Sequence, residues 1–94
     1  MSDQAKINIK VHYFAKIKEI MKKQNDVIYI DKKQIKGKEV FQLSINENRT
    51  LTNELIPIFQ TCLIALNDQY IDREEEINLK NGDEISILPP ISAG

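Results

Sequence analysis

From Ile7 to Tyr13 the chain alternates, with Ile7, Ile9, Val11 and Tyr13 set against Asn8, Lys10 and His12, and a period of two defines a strand with one buried face. At Phe14 the period changes at once. Phe14, Ile17, Ile20 and Met21 fall three or four apart among Lys16, Lys18, Glu19 and Lys22, as on the apolar side of a short amphipathic helix. Asn25-Asp26 interrupts that pattern, and Val27-Ile28-Tyr29-Ile30, β-branched and aromatic, reads as a second strand. The two strands are expected to form a hairpin.

The middle admits two readings. Val40, Phe41, Leu43 and Ile45 fit one face of a helix, while Phe41, Leu43 and Ile45 alone fit a strand. Gly37 upstream and Asn46-Glu47-Asn48 downstream suit the ends of a helix of about three turns. Leu51, Leu55, Ile56, Ile58 and Phe59 follow at near-helical spacing with Thr52 as a candidate N-cap, and Pro57 predicts that this helix is short or irregular.

Cys62-Leu63-Ile64-Ala65-Leu66 is a continuous apolar run of strand length closed by Asn67-Asp68-Gln69, which has turn composition. Tyr70-Ile71 is expected to pair briefly before the acidic stretch Asp72-Arg73-Glu74-Glu75-Glu76. Asn81-Gly82 is a turn dipeptide, and Ile85 and Ile87 alternate with Glu84, Ser86 and Leu88 in a last strand that Pro89-Pro90 must end. Two strands, a helix and further strands give an α+β order with a mixed sheet and one main helix packed on one face. The ubiquitin-like β-grasp is the simplest compact solution. With the first and last strands side by side at its centre, residues 1–88 form one domain and 89–94 leave it as a free C-terminal tail. A chain of 94 residues suits one modest core.

Charge narrows the partners. Thirteen basic and 14 acidic residues leave a net charge of −1, which argues against nucleic acid or an anionic membrane. The single cysteine, Cys62, has no internal disulfide partner, and the polar start Met1-Ser2-Asp3-Gln4-Ala5-Lys6 lacks the pattern of a signal peptide. A cytosolic location is expected.

Side-chain constellations for catalysis are missing. His12 alternates onto the polar face of its strand, and Cys62 in an apolar strand reads as a buried, inert thiol. Glu74-Glu75-Glu76 reads as a solvated face and not as a metal site, and the only glycines are Gly37, Gly82 and Gly94, so no phosphate-binding loop exists. The tail has a mechanical logic of its own. Pro89-Pro90 stiffens the exit from the sheet, and Ser92-Ala93-Gly94 has so little side-chain volume that it suits a narrow pocket. Its one reactive group is the carboxylate of Gly94, ionised near pH 7 and a poor electrophile until a partner activates it. A frayed terminus has the same composition.

The stretch Asn81-Gly82-Asp83-Glu84-Ile85-Ser86-Ile87-Leu88-Pro89-Pro90-Ile91-Ser92-Ala93-Gly94 resembles the C-terminus of the molybdopterin synthase small subunit family, a GDE turn, a hydrophobic strand and then PP-hydrophobic-S/T-GG. Tyr13-Phe14-Ala15-Lys16-Ile17-Lys18-Glu19 is similar to that family's F-A-x-x-R/K-E motif, and Leu63 to Tyr70 is similar to its third strand and turn. The likeness spans nearly the whole chain and is weakest from Ile35 to Gln60. It implies a non-catalytic sulfur carrier whose terminal glycine is adenylated with ATP by an E1-like enzyme and converted to a thiocarboxylate. The carrier then threads its tail into a large subunit, which holds the catalytic lysines, in an assembly of two small and two large subunits. There the sulfur passes to cyclic pyranopterin monophosphate, two transfers building the molybdopterin dithiolene.

By position, Gly94 is the sulfur-bearing residue, and Phe14, Lys18, Leu88, Pro89, Pro90 and the tail residues Ile91, Ser92 and Ala93 are the partner contacts. No bound cofactor or metal is implied. For Phe14 a place in the core is the alternative, and for Lys18 an ordinary surface position. Leu88 has independent support, since Ile85 and Ile87 turned inward leave it facing outward. Ala93 stands where the family has glycine, a change that costs little in an extended tail and obstructs one that needs positive φ. Sulfur carriers for thiamine synthesis or tRNA thiolation, and ubiquitin-like protein modifiers, are the other functions open to such a chain. The Pro-Pro-x-Ser ending sides with molybdopterin by resemblance.

Overall fold

A computed structural model of the chain describes residues 6–90; the expectations for Ile91, Ser92, Ala93 and Gly94 concern residues outside that range. The elements run β1 (Ile7–Tyr13), α1 (Ala15–Met21), β2 (Asn25–Ile30), β3 (Gln34–Lys36), α2 (Glu39–Glu47), α3 (Thr52–Phe59), β4 (Leu63–Leu66), β5 (Gln69–Ile71), β6 (Glu76–Asn78) and β7 (Glu84–Leu88), with a 3-10 turn at Arg49–Leu51. Five strands form a mixed sheet in the order β2-β1-β7-β4-β5, and β3 and β6 form a separate two-stranded ribbon.

The alternation in β1 places Ile9 and Val11 in the core with no exposure, and it drives both of that strand's pairings. β2 returns antiparallel to β1, from Ile7 opposite Ile30 to His12 opposite Asn25, with α1 filling the connection. β7 runs parallel to β1, Val11 beside Ile85 and Tyr13 beside Ile87, and antiparallel to β4, Ile64 beside Ile87. The first and last strands thus lie together at the centre. Ile17, Val40, Leu55 and Phe59 from the helices close the core over the inward residues of the sheet.

The main helix expected between Gly37 and Asn48 is α2, and the short helix expected over Leu51 to Phe59 is α3; a 3-10 turn separates them. Asn48 causes the break. Its backbone leaves helical geometry at φ −136°, and its buried side chain donates to the Ser44 carbonyl at 2.8 Å and to Asp26 Oδ2 at 2.9 Å. Thr52 is not an N-cap. It is already helical, and its hydroxyl donates backwards to the Arg49 carbonyl at 2.7 Å. Pro57 is the sixth of eight residues in α3 and forfeits one bond near the helix end.

Two turns set the ends of the sheet. Asn67 and Asp68 both take positive φ, 48° and 73°, which is what a two-residue loop between β4 and β5 requires. Gly82, at φ 90°, turns the chain into β7, and the Asn81 side chain accepts from the Asn8 backbone N–H at 2.8 Å. Gly37 has a different task. Its N–H donates to the Glu75 carbonyl and that of Lys38 to the Arg73 carbonyl, and an added Cβ would collide with the Asp72 carbonyl oxygen. Because that obstacle is backbone, Gly37→Ala is expected to destabilise the fold by about 2–3 kcal/mol, read as a lower urea midpoint at unchanged slope.

A polar cluster ties β1, β2 and α2 together. The Tyr13 hydroxyl donates to Asp26 Oδ2 at 2.7 Å and lies 2.7 Å from Ser44 Oγ, and Lys23 Nζ bridges Asp26 and Asn48, 2.9 Å from each. Burial alone would raise the Asp26 pKa, but hydrogen bonds from Asn48, Lys23 and Tyr13 outweigh it and hold the carboxyl below its usual value. Asp83 behaves alike, its burial outweighed by the Lys80 backbone N–H and the Asn67 amide. Tyr13 moves the other way, pushed well up chiefly by burial.

A depressed carboxylate gives stability that is present above the unfolded pKa of about 4 and lost as pH falls through the folded value. A raised tyrosine gives stability that is present below about pH 10 and lost as pH rises beyond it. Urea midpoints should therefore be level from about pH 5 to 9 and fall on both sides. Tyr13→Phe should make the alkaline arm shallower, leaving the share that belongs to the buried Cys62 thiol. A midpoint that keeps falling as steeply above pH 10 in the variant would remove Tyr13 from that role.

Candidate functional site

Because β1 and β7 are parallel, the end of β1 and the end of β7 reach the same edge of the sheet. β7 is the central strand, so the chain beyond Leu88 departs from the middle of that edge through half-buried Pro89 and exposed Pro90. Tyr13 is anchored inward by Asp26 and Ser44, and Phe14 follows with extended backbone, φ −130° and ψ 154°, so that its ring emerges into solvent at 42% exposure. The core alternative for Phe14 fails. Its carbonyl accepts the Ile17 N–H at 3.1 Å and begins α1, and Ala15 takes a left-handed φ of 53° to make the turn, a conformation that disfavours residues with a Cβ.

Leu88 is half-buried and lies directly opposite Leu63 of β4, which is 37% exposed. Since Ile87 and Ile64 face the core, Leu88 and Leu63 share the open face of the sheet, as the alternation in β7 required. Tyr70 of β5, 64% exposed and opposite Ala65, extends this apolar ground along the same face. Leu63 and Tyr70 were missed by sequence reasoning. The run from Leu63 to Leu66 is apolar throughout, so period alone could not tell its outward members from its inward ones.

Lys18 is exposed, on the last turn of α1 behind Phe14, and the Lys22 N–H caps that helix by donating to the Lys18 carbonyl at 2.9 Å. Lys18 has no ion-pair partner among the described residues. The structure thus brings Phe14, Leu88, Leu63 and the start of the tail to one edge, with Lys18 beside it.

The other singled-out side chains have structural explanations. His12 is half-buried on the open face, with Nε2 2.9 Å from Glu84 Oε1. Cys62 is 3% exposed, and burial pushes its thiol up, partly offset by Arg73, so it is a poor nucleophile. Glu74 is engaged by Lys38 at 3.0 Å and Lys36 at 3.5 Å, which hold its carboxyl below the usual range. The Arg73 guanidinium donates to the carbonyls of Phe59 and Cys62 and lies over the Phe41 ring, 4.5 Å from its centroid. Among the described residues no group of three or more His, Cys, Asp or Glu side chains is placed to hold a metal ion, and no helix is long and apolar enough to cross a membrane.

Known proteins resemble this chain in sequence and in fold. The ThiS family pattern matches residues 11–94. A molybdopterin synthase sulfur carrier subunit of Dictyostelium discoideum is 35% identical over 94 residues, all of both chains. Among solved structures, a complex of subunits 1 and 2 of molybdopterin-converting factor from Helicobacter pylori contains a chain 30% identical, with a TM-score of 0.59, covering 94% of this chain and all of that one. A putative molybdopterin converting factor subunit 1 from Pyrococcus furiosus has the same fold, with a TM-score of 0.67 at 22% identity, covering 90% of this chain and 99% of that one. The chain therefore belongs to the ThiS family, among its ubiquitin-like molybdopterin synthase sulfur carrier subunits.

Proposed function

We propose that this protein carries sulfur on Gly94 as a thiocarboxylate and donates it within a molybdopterin synthase, docked on a large subunit through the edge of the sheet that bears the tail. The observation that carries the proposal is the convergence at one edge of exposed Phe14, the Leu63–Leu88 pair and the exit of the central strand. Apolar side chains exposed together beside a small-residue tail suit a docking surface that steers the tail into a partner's cavity. The relative of known structure from Helicobacter pylori is a complex of subunits 1 and 2, which supports a partner of that kind here.

The chemistry follows from the carboxylate. A partner enzyme with ATP converts it to an acyl-adenylate, releasing pyrophosphate. A sulfur nucleophile then displaces AMP, which leaves a thiocarboxylate, ionised at neutral pH. That sulfur attacks a side-chain carbon of cyclic pyranopterin monophosphate and displaces the oxygen bonded there; water then cleaves the acyl–sulfur bond, leaving the sulfur on the pterin and returning Gly94 to a carboxylate, and a second carrier delivers the second sulfur. This chain contributes the carrier and its positioning. The nucleotide and the catalytic side chains are the partners', in an assembly of two small and two large subunits, and the setting is the cytosol.

Intact-mass analysis after incubation with ATP, a sulfur source and the cognate activating enzyme should show replacement of one oxygen by sulfur, mapped to Gly94. Recovery of the chain only as isopeptide conjugates to lysines, with no binding to a large subunit, would make it a protein modifier and overturn the proposal.

A further inference from the structure

The outer edge of β2 is left unprotected. β2 is an outermost strand of the sheet and runs Asn25–Ile30, twice as long as β5, Gln69–Ile71, at the opposite edge. Proteins blunt such edges with charges, prolines, bulges or shortness, yet Val27-Ile28-Tyr29-Ile30 has no charge and no proline. Val27 and Tyr29 are 45% and 63% exposed.

Beside this edge lies a cleft of about 280 Å³ between β2 and α2, with apolar walls from Tyr29, Ile30, Ile35 and Leu43. It lies at the pole opposite the tail. Ile30 pairs with Ile7 at the start of β1, whereas the tail departs from the end where Tyr13 meets Ile87.

The geometry points to a second docking site, in which an extended, acidic-flanked peptide segment of a partner protein pairs with β2 as a sixth strand and sets an apolar side chain in the cleft. The added strand would satisfy the outward backbone groups of β2, and alternate side chains would point to the cleft and to the open face. A second copy of this chain fits less well, because the inward residues of its own β2, Ile28 and Ile30, are committed to its core at 2% and 7% exposure and cannot fill the cleft.

Charge sets the flanks. Lys6 and Lys32 stand at the cleft and Lys33 follows, against Asp31 and Glu39. Glu39 is already engaged, accepting the Lys36 backbone N–H at 3.0 Å and lying 3.9 Å from Lys32 Nζ. Lys6 and Lys33 have no ion pair among the described residues, and neither has Asp31, so the charge left open to a partner is two cations against one anion.

The probe is the capped peptide Asp-Glu-Thr-Val-Thr-Ile-Thr-Ser-Asp, titrated into the full chain and followed by backbone amide NMR. Saturable shifts are expected at residues 27–32 and 39–43, with slowed hydrogen exchange on β2 and none of either at the tail end. Replacing the peptide's Val and Ile by Ser should weaken binding at least about tenfold. The double variant Lys6→Glu with Lys32→Glu, both exposed and so expected to fold, should weaken it about three- to tenfold and favour a Lys-flanked version of the peptide. No saturable shift at millimolar peptide, shifts on the open face instead, or concentration-dependent self-association through β2 would each overturn the assignment. None of these outcomes bears on Gly94, so the sulfur-carrier proposal stands or falls separately.

Discussion

A chain shortened by Gly94 alone is expected to lose sulfur delivery by at least about 10²-fold while keeping its melting transition. The truncated protein still ends in a carboxylate, so the chemistry of the group is not what is lost. One residue of extended chain spans about 3.3–3.6 Å, and reacting atoms must approach to about 3–3.5 Å, so a carboxylate one residue short sits a full contact distance from where adenylation and transfer occur. Stability is untouched because β7 ends at Leu88 and its core residues, Ile85 and Ile87, lie upstream with no exposure. Intact mass and single-turnover transfer, read beside a thermal melt, make the measurement. Full-rate transfer by the shortened chain would show that the pocket does not measure the tail's length. Ala93→Gly then distinguishes two tail geometries. An unchanged rate means an extended backbone at that residue, and a faster one means that the pocket requires positive φ.

The residues that made the fold legible are those whose pattern has one structural meaning. Alternation over seven residues in β1, and at Ile85 and Ile87 before two prolines, admits little but strands with one buried face, and placing those strands together at the centre follows from their burial. Where pattern is ambiguous or short, sequence reasoning ran out. The choice between helix and strand from Val40 to Ile45 was settled by tertiary packing, Val40 buried in the core, Phe41 against the Phe59 ring of α3 and Ser44 against Tyr13. β3 and β6 are three residues each and hold one another's only ladder, so neither has a period to read. The break at Asn48 depends on Asp26 and Lys23, which lie far off in sequence. The site divided likewise. Leu88 could be assigned outward from its own strand, but Phe14 needed the anchoring of Tyr13 by Asp26 and Ser44 to be seen as exposed.

Phe14→Asp is expected to weaken binding to the large subunit about 10²-fold, equivalent to about 2.7 kcal/mol, with the loss mainly in the dissociation rate. The size comes from two terms. An exposed aromatic that becomes buried at an interface gives up its apolar contact, and an aspartate in its place brings a charge that must be desolvated without a partner. The isolated carrier should barely notice, within about 0.5 kcal/mol, since the ring is 42% exposed and the Phe14 carbonyl that starts α1 belongs to the backbone. Ile56→Asp is the control. Ile56 is 45% exposed, as apolar and as accessible as Phe14, but it lies on α3 in the helical layer and not at the tail-bearing edge. If exposure alone governed association, both substitutions would weaken the complex alike. If the tail-bearing edge is the docking surface, only Phe14→Asp does, and Leu63→Asp, across from Leu88 on the open face, follows it. Equal losses from Ile56 and Phe14 would move the interface to the helices and leave the tail to reach its pocket without the sheet edge as a guide.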